Sequence, residues 1–216
     1  MKLCLAVAIL ILAAVPTFAA DRLFDLTGYA SYVDPNSSGT FNASNPNQPF
    51  DISFNGKLGY GVGANLFLGN HISTEFAASE VKTQSRVRPS GGSGSASGDL
   101  KMIPITAVLQ WHFAKNAFVD PYIGAGGAYV LFDNLKNAGD VSSLGIREIN
   151  FKDDVGLVLN AGLGFALGSN FGLLLDGKYV PVKSSATAVY AANGASSTTK
   201  VKINPVIFSA GLSFRF

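Results

Sequence analysis

The chain ends Ser209-Ala210-Gly211-Leu212-Ser213-Phe214-Arg215-Phe216, an alternation of small or polar and apolar residues that stops on an aromatic. A period of two is that of a strand with two unlike faces. Ala210, Leu212 and Phe214 suit lipid; Ser209, Gly211 and Ser213 suit a lumen. A terminal aromatic suits the water interface, so the segment reads as the closing strand of a transmembrane β-barrel. Taken alone, it also fits an edge strand of an ordinary sheet.

The other end narrows the choice. Lys2 precedes an apolar run from Leu3 to Val15, followed by Pro16-Thr17-Phe18-Ala19-Ala20. A basic start, an apolar core and small residues before a cut are the parts of a secretory signal peptide. The expected division is a leader over residues 1–19, cleaved after Ala19, and a mature barrel over 20–216. The run is too short to favour a membrane span. Cys4, the single cysteine, leaves with the leader. The mature chain then has no disulfide, no thiol nucleophile and no cysteine metal site. Without Lys2 its 15 basic residues nearly balance 14 acidic ones, and no basic patch points to nucleic acid. Beyond the leader no apolar stretch reaches the length of a membrane helix, although the chain is apolar overall and holds 24 glycines. Apolar residues spread over alternate positions satisfy both facts.

Eight strands are predicted: Phe24–Val33, Ile52–Leu68, Ile72–Val81, Met102–Phe113, Pro121–Phe132, Val155–Leu167, Phe171–Val182 and Lys200–Phe216. In the second, Leu58, Tyr60, Val62, Ala64, Leu66 and Leu68 oppose a face of Gly59, Gly61, Gly63 and polar residues. In the fifth, alternation does not choose a face, and Gly124, Gly126 and Gly127 predict bending or close packing. Gly69-Asn70 and Gly168-Ser169-Asn170 read as tight turns. Residues 34–48, 82–99, 133–154 and 183–199 read as polar connections, with a short helix at 144–151. Long connections follow strands one, three, five and seven; short ones follow two, four and six. That is the pattern of outer-membrane barrels, with long loops extracellular and both termini periplasmic.

Charge placement points the same way. Lys57, Glu75, Asp176 and Lys178 lie inside strands, each opposite the larger apolar set. A basic residue on the lipid face at mid-membrane costs about 2–4 kcal/mol. With Gln110 and His112 these four are expected to form a polar lumen network. The inward parity also carries Phe67, Pro104, Val108, Leu174, Val180, Pro205 and Ile207. These line an apolar passage or plug the barrel; the sequence leaves both open. Eight strands leave room for side chains or one small ligand, not a wide aqueous pore.

A family resemblance follows from Pro104-Ile105-Thr106, Leu109-Gln110-Trp111-His112-Phe113 and Asp120-Pro121-Tyr122-Ile123-Gly124-Ala125-Gly126. With Asn70–Ala78 and Ile203–Phe216, these stretches resemble the outer-membrane protein W (OmpW) family. Trp111 stands where the family has Tyr, and Asp120 where it has Arg. The resemblance implies an eight-stranded barrel that passes small hydrophobic molecules across the outer membrane, with exit through the wall into the bilayer. Ser209, Gly211, Phe214 and Phe216 likewise resemble the C-terminal signal read by the outer-membrane assembly machinery. Expected partners are outer-membrane lipid, lipopolysaccharide, that machinery and a small apolar ligand, for a monomer without cofactor. The alternative is an adhesin or opacity-like protein acting through its loops. Catalysis is not expected: His71 and His112, the two histidines, both fall at the short-turn end. No nucleophile with a base in reach is suggested there, and two histidines alone make a weak metal site.

Overall fold

A computed structural model describes residues 22–34, 38–41, 50–89, 96–132, 135–136, 146–190 and 196–216. The leader and its boundary at 19 lie outside them. Among the described residues there are fourteen strands and no helix. They are β1 Phe24–Asp34, β2 Ser38–Phe41, β3 Phe50–Asn55, β4 Lys57–Phe67, β5 Ile72–Pro89, β6 Ala96–His112 and β7 Val119–Phe132. The rest are β8 Leu135–Lys136, β9 Ile146–Phe151, β10 Asp154–Ala166, β11 Phe171–Tyr179, β12 Val182–Tyr190, β13 Ser196–Ile203 and β14 Val206–Arg215.

Eight of them close an antiparallel barrel in the order β1, β4, β5, β6, β7, β10, β11, β14 and back to β1. The alternation read from the sequence becomes inside and outside. Leu58, Tyr60, Val62, Phe76, Leu109, Ile123, Leu157, Leu175 and Leu212 stand exposed on the wall. Trp111, Phe113, Phe171, Phe214 and Phe216 ring the turn end; Tyr32, Tyr60, Tyr129 and Tyr179 ring the other. An apolar wall between two aromatic girdles is the surface a bilayer selects. Gly69 and Gly168, with φ of 156° and 141°, sit in two of the three short turns.

The strands run on past the second girdle. β5 continues beyond Val81, where β3 pairs with it; β2, β13, β12, β9 and β8 follow in order. Three expectations are corrected here. Of the helix placed at 144–151, Ile146–Phe151 is strand β9, paired with β12, and 144–145 lie outside the described residues. The connection at 183–199 contains both arms of a hairpin, β12 and β13. Much of 82–99 is strand, with β5 and β6 paired out to Val87↔Ala96. Ser, Thr and Gly weaken the apolar alternation that marks a strand. Neighbouring edges supply what the side chains lack, because every backbone donor and acceptor seeks a partner.

The ambiguous fifth strand is settled by packing. Tyr122, Ala128, Val130 and Phe132 are buried, while Ile123 and Tyr129 are exposed. A Cβ on Gly126 would run into the Ala107 carbonyl oxygen, and one on Gly124 would lie 2.8 Å from Val108. Gly126→Val is therefore expected to destabilise the barrel by about 1–3 kcal/mol. Urea-unfolding midpoints check this, with Gly28→Ala as the tolerated control, since nothing lies within 4 Å of a Cβ there.

One seam interrupts the ladder. β10 pairs with β11 only as far as Leu159↔Tyr179, and β9 with β12 only from Phe151↔Ala186, one residue out of register. Among the described residues no ladder pair joins 154–158 to 180–184, although β10 stays paired to β7 throughout. Pro181 has no N–H to donate. The two edges still touch: a Cβ on Gly156 would lie 2.6 Å from Val182 and 2.7 Å from the Pro181 carbonyl oxygen. Between these two stretches packing replaces the ladder, while at its edge Ser184 Oγ donates to the Lys152 carbonyl at 2.7 Å and the Lys152 N–H to the Ser185 carbonyl at 3.0 Å.

Candidate functional site

The lumen is built in layers, and each layer follows from which inward positions are charged, polar or apolar. At the turn end, the Arg22 guanidinium clasps the Asp25 carboxylate at 2.9–3.0 Å through Nε and donates to Asp120 Oδ2 at 3.4 Å. It lies 4.4 Å from the Phe67 ring, and Lys115 Nζ lies 5.0 Å from the same ring. Phe67 is thus a platform for two cations, and it packs 5.0 Å from the His112 imidazole. Lys115 also donates to the Gly69 carbonyl at 3.0 Å.

His112 links this layer to the next. Its Nδ1 is 2.8 Å from Asp120 Oδ2 and its Nε2 is 2.8 Å from Ser73 Oγ. That is the hydrogen-bond order of a Ser-His-Asp triad, a geometry that spacing alone did not suggest. Ser73 is fully buried and its hydroxyl also meets Gln110 Oε1 at 3.2 Å. No substrate-sized space adjoins it in the cavities described below. These hydrogen bonds tie β5, β6 and β7 together at the turn end.

The middle layer is a charged floor. Lys178 Nζ stands 2.8 Å from Glu75 Oε1 and 2.6 Å from Asp176 Oδ1. Asp176 Oδ2 accepts from Tyr122 at 2.7 Å and from Asn160 at 2.5 Å. Gln110 donates to Glu75 at 3.1 Å and to the Asn160 side-chain oxygen at 2.8 Å, and accepts from Asn65 at 2.9 Å. All of Glu75, Gln110, Asn160, Asp176 and Lys178 are at least nine-tenths buried. Charges out of water persist only when paired and hydrogen-bonded, and this network does both.

Two small cavities flank the floor. One of about 20 Å³ is lined by Arg22, Asp25, Tyr29, Asn65, Glu75 and Asp120 among others. One of about 10 Å³ is lined by Ser79, Pro104, Thr106, Lys178, Ile207 and Ser209 among others. Each is sized for a water or two, not for an organic molecule. Beyond the floor the lumen turns apolar. Val33, Val81, Met102, Val158, Val180, Ile203 and Ile207 are all at most 4% exposed. Pro104, Val182 and Pro205 are buried with them, and Phe132 stacks near Phe151 at 6.0 Å.

The predicted site residues divide accordingly. Glu75, Gln110, Asp176 and Lys178 meet in one network, and His112 joins it through Ser73. Lys57 does not; it stands at the far end of β4, opposite Val33. Pro104, Val180, Pro205 and Ile207 belong to the apolar layer. Val108 is level with the floor, opposite Glu75, while Leu174 lines the turn-end cavity and Phe67 lies below it. No single apolar column connects the seven. Arg22, Asp25, Asp120, Tyr122 and Asn160 are lumen residues that sequence reasoning did not select. Asp25 and Asn160 carried the signal, since each sits on the polar parity of a predicted strand.

The C-terminal residues close the wall. Ser209 Oγ is 2.8 Å from Ser31 Oγ, and Gly211 lets β14 approach β1, where a Cβ would lie 2.7 Å from the Gly28 carbonyl oxygen. Phe214 packs on Phe171 and Phe216, with ring centroids 5.2 and 4.7 Å away. Phe216 stands 5.9 Å from Phe24, and its N–H donates to the Phe24 carbonyl at 2.8 Å.

Comparison with known proteins agrees with this architecture. The model of the OmpW family matches residues 24–216. Outer membrane protein W of Vibrio cholerae is 28% identical over 211 residues, covering 95% of this chain and 94% of its own length. Outer membrane protein AlkL of Ectopseudomonas oleovorans is 33% identical over 113 residues, covering 52% of this chain and 46% of its own. Among solved structures, OprG from Pseudomonas aeruginosa superposes with a TM-score of 0.77 at 19% identity, over 90% of this chain and 96% of that one. The structure of AlkL in lipid bilayers gives 0.63 at 20% identity, over 94% and 95%.

Proposed function

This chain belongs to the OmpW family of outer-membrane barrels, and on that premise we propose that it passes small hydrophobic molecules from outside the cell into the outer membrane. In this reading the extended end faces outward, the short turns and both termini face the periplasm, and the barrel works as a monomer.

One observation carries the proposal: an apolar upper lumen ends on a charged floor beside a seam without ladder hydrogen bonds. An apolar molecule gains by leaving water for the upper layer at about 25 cal/mol per Å² buried. The floor opposes its further descent, because bringing it between Lys178, Glu75 and Asp176 strips those charges of their partners. Sideways, it meets only packing contacts around Gly156, Pro181 and Val182, with Val155 and Leu157 exposed on the wall outside. Lateral exit follows from that ordering of costs. No catalytic step is assigned to the Ser73–His112–Asp120 relay.

The test is uptake of a fluorescent apolar probe into liposomes containing the refolded barrel. A straight-through route passes Leu174, and Leu174→Arg blocks it. The sideways route leaves the lumen above Leu174, so uptake is expected to persist in a folded Leu174→Arg variant. Uptake equal to that of protein-free liposomes would instead favour the loops and a surface-binding role. Delivery is proposed to depend on the C-terminal residues: removal of Phe216 is expected to lower the amount of barrel assembled in the outer membrane, read by heat-modifiable mobility in membrane fractions.

A further inference from the structure

The packing of the lumen leaves one inward hydroxyl over. Thr106 is 5% exposed, and its Oγ1 has no hydrogen-bond partner among the described residues. It lines the smaller cavity, where the charged floor at Lys178 meets Pro104 and Ile207 of the apolar layer. Lys178 carries three N–H groups. Two of them go to Asp176 Oδ1 and Glu75 Oε1, at 2.6 and 2.8 Å, and the third is left for the cavity. Ser209, also on its lining, is already paired with Ser31 at 2.8 Å. Buried polar groups without a partner are costly, and native ones find one. Here the missing partner is a group that both donates and accepts.

Space and charge say which groups qualify. About 10 Å³ is room for one water-sized group. A hydroxyl is that size; a carboxylate or a phosphate is larger. Lys178 is already shared by two carboxylates, so a further anion would face Glu75 and Asp176 with no cation to spare. An ammonium would stand against Lys178 itself. What remains is neutral: a water or an alcohol.

Position chooses between these two. Thr106 is opposite Ala128, and Ala128 is opposite Gly156, the residue over which Pro181 and Val182 close the seam. Directly opposed residues share a face, so the leftover hydroxyl and the seam lie on one row of the inner wall, two strands or about 10 Å apart. Val180, at the edge of the seam, is the next inward residue after Lys178. A chain attached to a group in the cavity therefore has the apolar layer to lie in and the seam within reach. We propose that this cavity is the head-group site for straight-chain primary alcohols. The alcohol hydroxyl donates to Thr106 Oγ1 and accepts from Lys178, and the chain leaves first through the seam. An alkane suits the apolar layer equally but leaves both polar groups unpartnered. The proposal rests on the conduit reading above and names its substrate class.

The experiment follows the Ala128 methyl resonance of the refolded barrel in lipid nanodiscs, since Ala128 is buried opposite Thr106 and survives substitutions at 106. 1-Octanol, octane and octanoate are compared at equal mole fractions in the lipid. Octanol is expected to shift the signal saturably, octane to bind about tenfold more weakly, and octanoate to leave it unmoved. T106V is expected to abolish the preference for octanol and T106S to keep it, with folding checked by heat-modifiable mobility. Equal responses to octanol and octane, or to octanol and octanoate, overturn the proposal, as does a preference that survives in T106V. A signal that octanol leaves unmoved makes the cavity a water site only and overturns it too. Apolar-probe uptake is measured on liposomes from the same refolded protein. Uptake without a preference for octanol overturns this site alone. Uptake no greater than in protein-free liposomes overturns the conduit and this site's part in it together.

Discussion

Stapling the seam is expected to stop transport without unfolding the barrel. Extending the β10–β11 register one step beyond Leu159↔Tyr179 sets Val158 opposite Val180, and both are fully buried. Opposed residues of antiparallel strands stand at Cα separations of about 4.5–5.5 Å, within disulfide reach. Cys4 is the single cysteine of the chain, so in C4S/V158C/V180C the introduced thiols are the only ones. Oxidation is expected to bring apolar-probe uptake down to that of protein-free liposomes, and reduction to restore it. The reversal within one preparation separates gating from misfolding. Undiminished uptake in the oxidised protein would mean that the route does not use this part of the wall.

Removing Lys178 is expected to be the most destabilising single change in the lumen. Lys178→Met leaves Glu75 and Asp176 facing each other without their shared cation, both about 5% exposed. Breaking a buried ion pair by deleting one partner costs about 3–5 kcal/mol. The urea midpoint should fall accordingly. Replacing all three charges, as E75Q/D176N/K178M, is expected to recover most of the loss, because neutral groups carry a far smaller desolvation cost. If the single and triple variants are equally unstable, packing of the Lys178 stem rather than its charge holds the floor.

These two outcomes bear on different parts of one arrangement. In the proposed route the floor keeps apolar molecules from crossing the lumen, and the seam gives them another way out. A leaky floor and a locked seam should therefore fail in opposite senses: the first admits probe to the turn end, the second admits none anywhere.

Much of this was legible before any tertiary structure. Period-two alternation, the terminal Phe216 and the alternating long and short connections determined an eight-stranded barrel, because a bilayer tolerates strands only when every backbone group is paired and every outward side chain is apolar. The parity of Glu75, Asp176 and Lys178 likewise put them inside. What the sequence could not decide was which inward residues meet. Asp120 and Ser73 are far apart in the chain yet share His112, and Lys178 reaches Glu75 across the lumen, since strand stagger sets the height of each side chain. It also could not choose a face for β7, where glycines fill inward positions and only the Ala107 carbonyl and Val108 show why nothing larger fits. The strands hidden in 82–99, 144–151 and 183–199 are polar, and their pairing is granted by neighbouring edges rather than by their own pattern. The seam, finally, is visible only when two ladders are compared across β10. Pro181 removes a donor, but the one-residue shift that leaves 154–158 without ladder pairs to 180–184 is a property of how the closed barrel joins its extension.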